Sequence, residues 1–144
     1  MNLYNSVYLT TEEFLLLASG AGLEQIEGVF RDSPDEVTRE RLCESLFTLC
    51  NRGLMSNVNE NGAIFFKPEK ILEELFQNIK KAQSTSAAFR YGEEEPALYC
   101  YIGKMTVVCE VSQADENAIR IFELPYEEFG EWMEEKGYYL KKTL

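Results

Sequence analysis

The chain is 144 residues long, 45% hydrophobic, and carries a net charge of -11 with no histidine. This length predicts one domain, or two small halves that share a core, and the apolar content argues against disorder of the whole chain. The lack of histidine excludes catalytic triads and dyads built on that residue, and the acidity disfavours nucleic acids and anionic membranes as partners. The amino-terminal segment MNLYNSVYLTTEE has neither a basic start nor a long apolar run, so we expect a cytoplasmic protein.

The first predicted helix begins at a capping box. Thr10 can accept a hydrogen bond from the backbone of Glu13, whose side chain can reach back to the cap. An apolar run follows, and the Ser-Gly-Ala-Gly sequence of residues 19–22 ends the helix. A short second helix is predicted around residues 23–30, where apolar side chains recur on one side.

The next segment predicts a longer helix and a hairpin. A second capping box at residues 33–36 begins the helix, an apolar stripe continues it, and Gly53 ends it. Residues 54–57 and 63–66 then alternate as two short strands, and Asn61-Gly62 suits the positive backbone angles of a tight turn. This order of elements resembles the back half of a winged helix-turn-helix.

The charges of this segment do not suit DNA. The positions predicted to face outward on the long helix are Glu40, Arg41, Glu44, Ser45, Thr48, Asn51 and Arg52. Glu40 and Glu44 would project toward phosphate, and the Asn59–Gly62 turn contains no Lys or Arg. We therefore expect DNA not to be the partner, and we keep a winged-helix transcriptional regulator with a C-terminal sensing half as the alternative.

A change of pattern predicts a boundary between two halves. A third helix is predicted from Pro68 to about Gln83, with apolar residues at helical spacing. At residues 83–87 the apolar period changes from helical to two. We therefore divide the chain into a winged-helix-like helical half, residues 1–83, and a half with an antiparallel sheet and a C-terminal helix, residues 84–144, packed together as one compact unit.

The second half predicts a meander of three or four antiparallel strands. Strands are expected at residues 88–91, on both sides of Gly103-Lys104, and at residues 118–124. Pro125 then admits a closing helix that would cover the meander. Its inward side chains are predicted to be Tyr126, Phe129, Trp132 and Met133. The predicted fold class is therefore α+β.

The central hairpin of this meander supplies the candidate partner-binding residues. A two-residue loop at Gly103-Lys104 would place one apolar set on one face: Leu98, Cys100, Ile102, Met105, Val107 and Cys109. The other face would carry Tyr99, Tyr101 and Val108. These side chains either pack between the two halves or are exposed, and if they are exposed they suit a protein partner, because tyrosines are favoured in recognition.

Nothing in the sequence predicts catalysis, a cofactor or a metal site. Cys43, Cys50, Cys100 and Cys109 lack the CxxC spacing of a zinc site, and we expect them to be buried and reduced. The run Glu93-Glu94-Glu95 is typical of solvated surface. We therefore expect a protein that is not an enzyme and binds neither cofactor nor metal. Two carboxylates brought together by folding are the alternative that would support catalysis.

Several landmarks occur in the same order as in a known family. They are Leu9-Thr10 with Glu13 at the first helix, Gly22, the run from Arg41 through Leu49 into Gly53-Leu54, Pro68, and Tyr101-Ile102-Gly103 at a strand end. In this order they resemble the ESX (type VII) secretion-associated chaperone family. The resemblance implies a cytosolic, non-enzymatic protein that binds secretion substrates. A homodimer is left open, because the chain is shorter than members of that family. Together with the acidic surface and the abundant aromatic residues, this favours a protein-binding adaptor or chaperone.

Overall fold

We describe the protein from a computed structural model, in residues 6–23, 39–111 and 118–141. The described elements, in chain order, are β1 (Ser6–Thr10), α1 (Thr11–Gly20), α2 (Arg39–Asn51), β2 (Met55–Glu60), β3 (Ala63–Pro68), α3 (Lys70–Lys80), β4 (Ser84–Arg90), β5 (Leu98–Ile102), β6 (Met105–Val111), β7 (Ala118–Pro125), α4 (Tyr126–Lys136) and β8 (Tyr138–Lys141). The fold class is α+β, as predicted. The predicted helix at residues 23–30 and the capping box at 33–36 lie outside the described residues, apart from Leu23.

The main sheet is antiparallel and has six strands, in the order β1-β7-β6-β5-β4-β8. The predicted meander of three or four strands is its centre, β4 to β7. The sheet is larger than predicted because β1 adds to β7 at one edge and β8 adds to β4 at the other. One strand from the predicted first half therefore belongs to the same sheet as the strands of the second half.

Both faces of this sheet are covered. Along β7, Ile119 and Ile121 pack in a core with α1, α2 and α3, whereas Phe122 and Leu124 pack in a second core with α4 and β8. Side chains alternate between the two faces of a strand, so a central strand buried on both sides needs apolar residues at nearly every position. The sequence analysis predicted that α4 would cover the meander, and α4 packs on one face. The structure adds that α1 and α3 cover the opposite face.

The hairpin of β5 and β6 has a different register from the predicted one. Tyr101 lies opposite Val107 and Cys100 opposite Val108, which is a shift of one residue. Gly103 does not adopt a positive φ, so the tight two-residue turn that the prediction required is not formed. Instead the Thr106 hydroxyl donates a hydrogen bond to the carbonyl of Gly103 at 3.2 Å. A shift of one residue moves every side chain of a strand to the other face.

Features set by local sequence agree with the structure. Thr10 and Glu13 form the predicted capping box at the start of α1. Asn61 and Gly62 both have positive φ, 52° and 81°, in the turn of β2 and β3. In α4, Phe129 and Met133 are buried as expected and Trp132 is half-buried, but Tyr126 is exposed, so its predicted inward position is wrong. Among the described helices, none has the length and apolar character required to cross a membrane.

Candidate functional site

The three residues proposed from sequence as partner contacts do not form one surface. Tyr101 is 2% exposed and Val108 is 0% exposed. Tyr99 is half-buried and, with Tyr101, faces the core under α1–α3, whereas Val108 lies on the opposite face, in the core under α4. The prediction that all three share a face is wrong because of the register shift. The two tyrosines pack between the predicted halves, which is the first of the two alternatives given above.

Two arginines, Arg41 on α2 and Arg52 directly after it, are engaged within the protein, whereas Arg39 at the start of α2 is exposed. Arg41 forms an ion pair with Glu12. Arg52 contacts Glu13 at 3.2 Å and also donates a hydrogen bond to the backbone carbonyl of Tyr8. Glu40, by contrast, is exposed, as the sequence pattern predicts. Arg41 and Arg52 therefore serve to hold α2 against α1 and β1.

Glu13 is the centre of this attachment. Its side chain is 2% exposed, and its carboxylate accepts hydrogen bonds from the backbone of Thr10 at 2.8 Å and from the hydroxyl of Thr48 at 3.0 Å. Together with Arg52 these donors compensate a charge that would otherwise be costly to bury. The carboxylate therefore has a complete structural role as helix cap and as a link between α1 and α2.

The hairpin of β2 and β3 is the most apolar exposed element of the described chain. Within it, Ile64 is 65% exposed, Phe65 54% and Phe66 46%. In the antiparallel register Phe65 lies opposite Val58, while Ile64 and Phe66 lie opposite Asn59 and Asn57. Opposed residues share a face and neighbours alternate, so both faces of the hairpin carry exposed apolar side chains. We call residues 55–68 the apolar hairpin.

The apolar hairpin is attached at its base. Met55 is buried in the core under α1–α3, and α2 lies against β2. The backbone N–H of Leu54 donates to Leu49 at 2.9 Å, and that of Glu69 donates to Leu54 at 2.9 Å, so both ends of the hairpin are hydrogen-bonded into the fold. Within the described residues β2 and β3 pair only with each other, so each has an outer edge without a neighbouring strand.

The charge of the apolar hairpin differs from that of the whole chain. Residues 55–68 contain one acidic residue, Glu60, and one basic residue, Lys67, so the segment is neutral in a chain of net charge -11. A neutral apolar surface does not provide the cations that phosphate groups require. Sequence reasoning missed this surface, although three consecutive apolar residues in a strand must project to both faces, and a two-stranded sheet cannot bury both.

A second feature is a groove beside α4. Gly137 has a φ of 77°, and this left-handed residue turns the chain from α4 into β8. The resulting open groove has a volume of about 830 Å³, and its lining includes Tyr91, Tyr126, Tyr138 and Leu140. We call it the tyrosine groove. The sequence analysis did not identify it, because its walls come from segments that are distant along the chain.

The four cysteines are free thiols that differ in burial. Cys43 is exposed and Cys50 is half-buried, so the prediction that all four are buried is wrong for these two. Burial raises the pKa of Cys100 to about 12 and raises that of Cys109 well above its usual range. These two thiols lie in opposite cores of the sheet. Among the residues that the structure describes, no three cysteine, aspartate or glutamate side chains are grouped as metal ligands.

Comparisons with family models, with curated proteins and with solved structures find no match to this chain. The exposed surfaces of the protein are therefore the basis for its proposed function.

Proposed function

We propose that this chain is a non-catalytic protein-binding adaptor or chaperone, and that the apolar hairpin is its binding surface. The observation that carries the proposal is the exposure of Ile64, Phe65 and Phe66 on a hairpin that is fixed at its base. Taking roughly 200 Å² for each large apolar side chain, these three expose about 300 Å². This area is divided between the two faces of the hairpin, and exposed apolar surface of this kind marks interaction sites on many proteins.

The chemistry of the hairpin supports a polypeptide partner. Its aromatic side chains are of the type enriched in the buried centre of protein interfaces. Its two outer strand edges can accept a further strand, so a partner can gain backbone hydrogen bonds as well as apolar contact. If the resemblance to secretion-associated chaperones holds, the partner is a secretion substrate.

In this proposal a winged-helix-like set of helices and strands is the scaffold that carries the binding surface. We propose that the described elements α1, α2, β2 and β3 belong to a winged-helix-like scaffold, in which the apolar hairpin takes the place of the wing. Binding of DNA is the alternative function. Against it stand the ion pairs that engage Arg41 and Arg52, the exposed Glu40 and Glu44, and a wing with Lys67 as its one basic residue. A DNA-binding assay over a range of salt concentrations tests this alternative, since phosphate contacts produce a steep loss of affinity with salt.

The proposal is tested by purifying tagged protein from its native cell in three forms. These are the wild type, an apolar-hairpin variant (Ile64→Ser, Phe65→Ser, Phe66→Ser) and a control variant (Tyr8→Ser) that removes an exposed aromatic side chain elsewhere. We expect a stoichiometric protein with the wild type and the control, and its loss with the hairpin variant. Recovery of the same partner with all three forms, or of no partner with the wild type, would contradict the proposal.

A further inference from the structure

The tyrosine groove has the size and the walls of a small-molecule site. Its volume of about 830 Å³ falls within the range of ligand pockets, roughly 300–1,000 Å³. Buried Phe129 and Met133 of α4 form part of its lining, together with Ile102 of β5. Because Phe129 and Met133 are only 4% and 5% exposed, they close the bottom of the groove, and the apolar surface open to a ligand belongs to Ile102 and to the 44% exposed Leu140.

Two aromatic side chains, Tyr91 and Tyr126, stand at the rim, and the ring of Tyr91 is held in place. Tyr91 is 78% exposed, but its ring packs on Tyr139 with centroids 5.0 Å apart, and Tyr139 in turn stacks on Phe89 at 5.8 Å. Tyr126 is 59% exposed on the first turn of α4. Rigid aromatic rings bind a ligand with little loss of conformational entropy.

The charges in the lining have one sign. Glu127 and Glu134 line the groove, and no Lys or Arg lines it. Seven residues apart, they lie two turns from each other on one side of α4, about 10 Å along its axis. The ring of Tyr138, another lining residue, is already engaged, because the guanidinium of Arg90 lies 5.4 Å from its centroid and Trp132 stacks on it at 5.8 Å. Two carboxylates in a lining that also includes the exposed Tyr91 and Tyr126 favour an organic cation over a neutral or anionic compound.

We propose that the tyrosine groove binds a small amphipathic organic cation, with the apolar part of the ligand on Ile102 and Leu140 and its ammonium group near Glu127 or Glu134, facing the rings of Tyr91 and Tyr126. This inference is independent of the apolar hairpin and of the proposed function, because it concerns different residues, which lie beside the main sheet and not on the separate sheet of β2 and β3.

A calorimetric titration with octyltrimethylammonium, compared with octyl glucoside and octyl sulfate, tests the ligand class below micelle-forming concentrations. We expect saturable binding of one cation, at least about tenfold tighter than that of the neutral compound, and no binding of the anion. The chain has a single tryptophan, and Trp132 stacks on Tyr138 at 5.8 Å, so its fluorescence should change along the same binding curve. Equal affinity for all three compounds, or no saturable binding, would overturn the proposal.

Two pairs of substitutions with the same change of net charge locate the site. Glu127→Gln with Glu134→Gln should weaken binding of the cation by about tenfold, because it removes both carboxylates from the lining. Glu131→Gln with Glu135→Gln is the matched control, since these exposed residues of α4 do not line the groove, and affinity should change less than about twofold. An equal loss in both variants would show general attraction to an acidic protein and would reject the groove as the site.

Discussion

Two hairpins of this protein were both predicted from a glycine-containing two-residue turn. One of them is exposed to solvent, and the other is buried on both faces. The apolar hairpin, β2 and β3, has the expected two-residue turn and leaves Ile64, Phe65 and Phe66 exposed. The hairpin of β5 and β6 lies at the centre of the main sheet, with its register shifted from the expected one and with both of its faces buried. Turn chemistry determined the first register, because Asn-Gly adopts positive φ at low cost. The second register occurs in a hairpin that packs against a core on each face.

This difference shows where function can be sought. Apolar side chains of β5 and β6 are explained by the cores that they form. Those at the exposed end of the apolar hairpin have no such explanation, since the same residue types remain in contact with solvent. An exposed aromatic cluster adds nothing to the core and presents an aggregation hazard, so a binding partner is the physical explanation that we favour.

The strongest test of this comparison introduces the same charge into each hairpin. Val108→Asp places a carboxylate where the side chain is 0% exposed, and we expect loss of more than about 4 kcal/mol of unfolding free energy, or no folding at all. Phe65→Asp, at an exposed position, should change the unfolding free energy by less than about 0.5 kcal/mol. Urea denaturation followed by circular dichroism measures both. A large loss with Phe65→Asp would contradict an exposed hairpin.

Alkaline pH should weaken the buried hairpin through its thiols. The pKa of Cys100 is about 12 in the folded protein and that of Cys109 is also raised, against 9.0 for the unperturbed group. Above pH 9 these thiols are deprotonated in the unfolded chain but remain protonated in the folded protein. The free energy of unfolding is therefore highest below pH 9 and falls as the pH rises. At pH 10 we expect a loss of about 1.4 kcal/mol from Cys100, and Cys109 should add a loss of the same sign. Replacement of both by Ala should flatten the pH dependence of urea denaturation between pH 8 and 10.

Glu13 links α1 to α2, the helix that lies against the apolar hairpin. Glu13→Ala removes the carboxylate that accepts from the Thr10 backbone, from Thr48 and from Arg52, while the hydrogen bond from its own backbone N–H to the Thr10 hydroxyl remains, and we expect a loss of about 2–3 kcal/mol of unfolding free energy. Glu40→Ala, at an exposed position of α2, is the control and should change stability by less than about 0.5 kcal/mol. Equal midpoints for the two variants in thermal unfolding would mean that the carboxylate of Glu13 does not hold α1 and α2 together.

The smallest expected effects compare the two turns. Gly62→Ala forces a side chain into a positive φ of 81° and should cost about 1 kcal/mol. Gly103→Ala has no such strain, and its added Cβ would lie 3.5 Å from the Cα of Ala82, an ordinary contact, so we expect less than about 0.5 kcal/mol. Hydrogen exchange of the amides in each hairpin separates the two effects. Faster exchange after Gly103→Ala than after Gly62→Ala would reverse the assignment of turn types.

The features that could be predicted from sequence are those decided by neighbours along the chain. The capping box of Thr10 and Glu13 needs one helical turn, and the Asn61-Gly62 turn needs two residues. The α+β class follows from the change of apolar period near residue 83. Each of these depends on local geometry that a few residues determine.

The features that could not be predicted depend on contacts between distant segments. β1 and β8 are short edge strands, and pairing with β7 and β4 defines them. The burial of Tyr101 depends on helices far away in sequence, and so does the exposure of Phe65. The tyrosine groove likewise joins Tyr91 to α4 and β8. Sequence patterns identify apolar side chains but do not show which of them a core will cover.

The central claim is that the apolar hairpin contacts a protein partner, and photo-crosslinking from the position of Phe65 tests it most directly. A photoreactive phenylalanine derivative at this position should yield one discrete protein adduct in the native cell. The same derivative at Glu131, an exposed position on α4, should not give that adduct. No adduct from the position of Phe65, or the same adducts from both positions, would contradict the account.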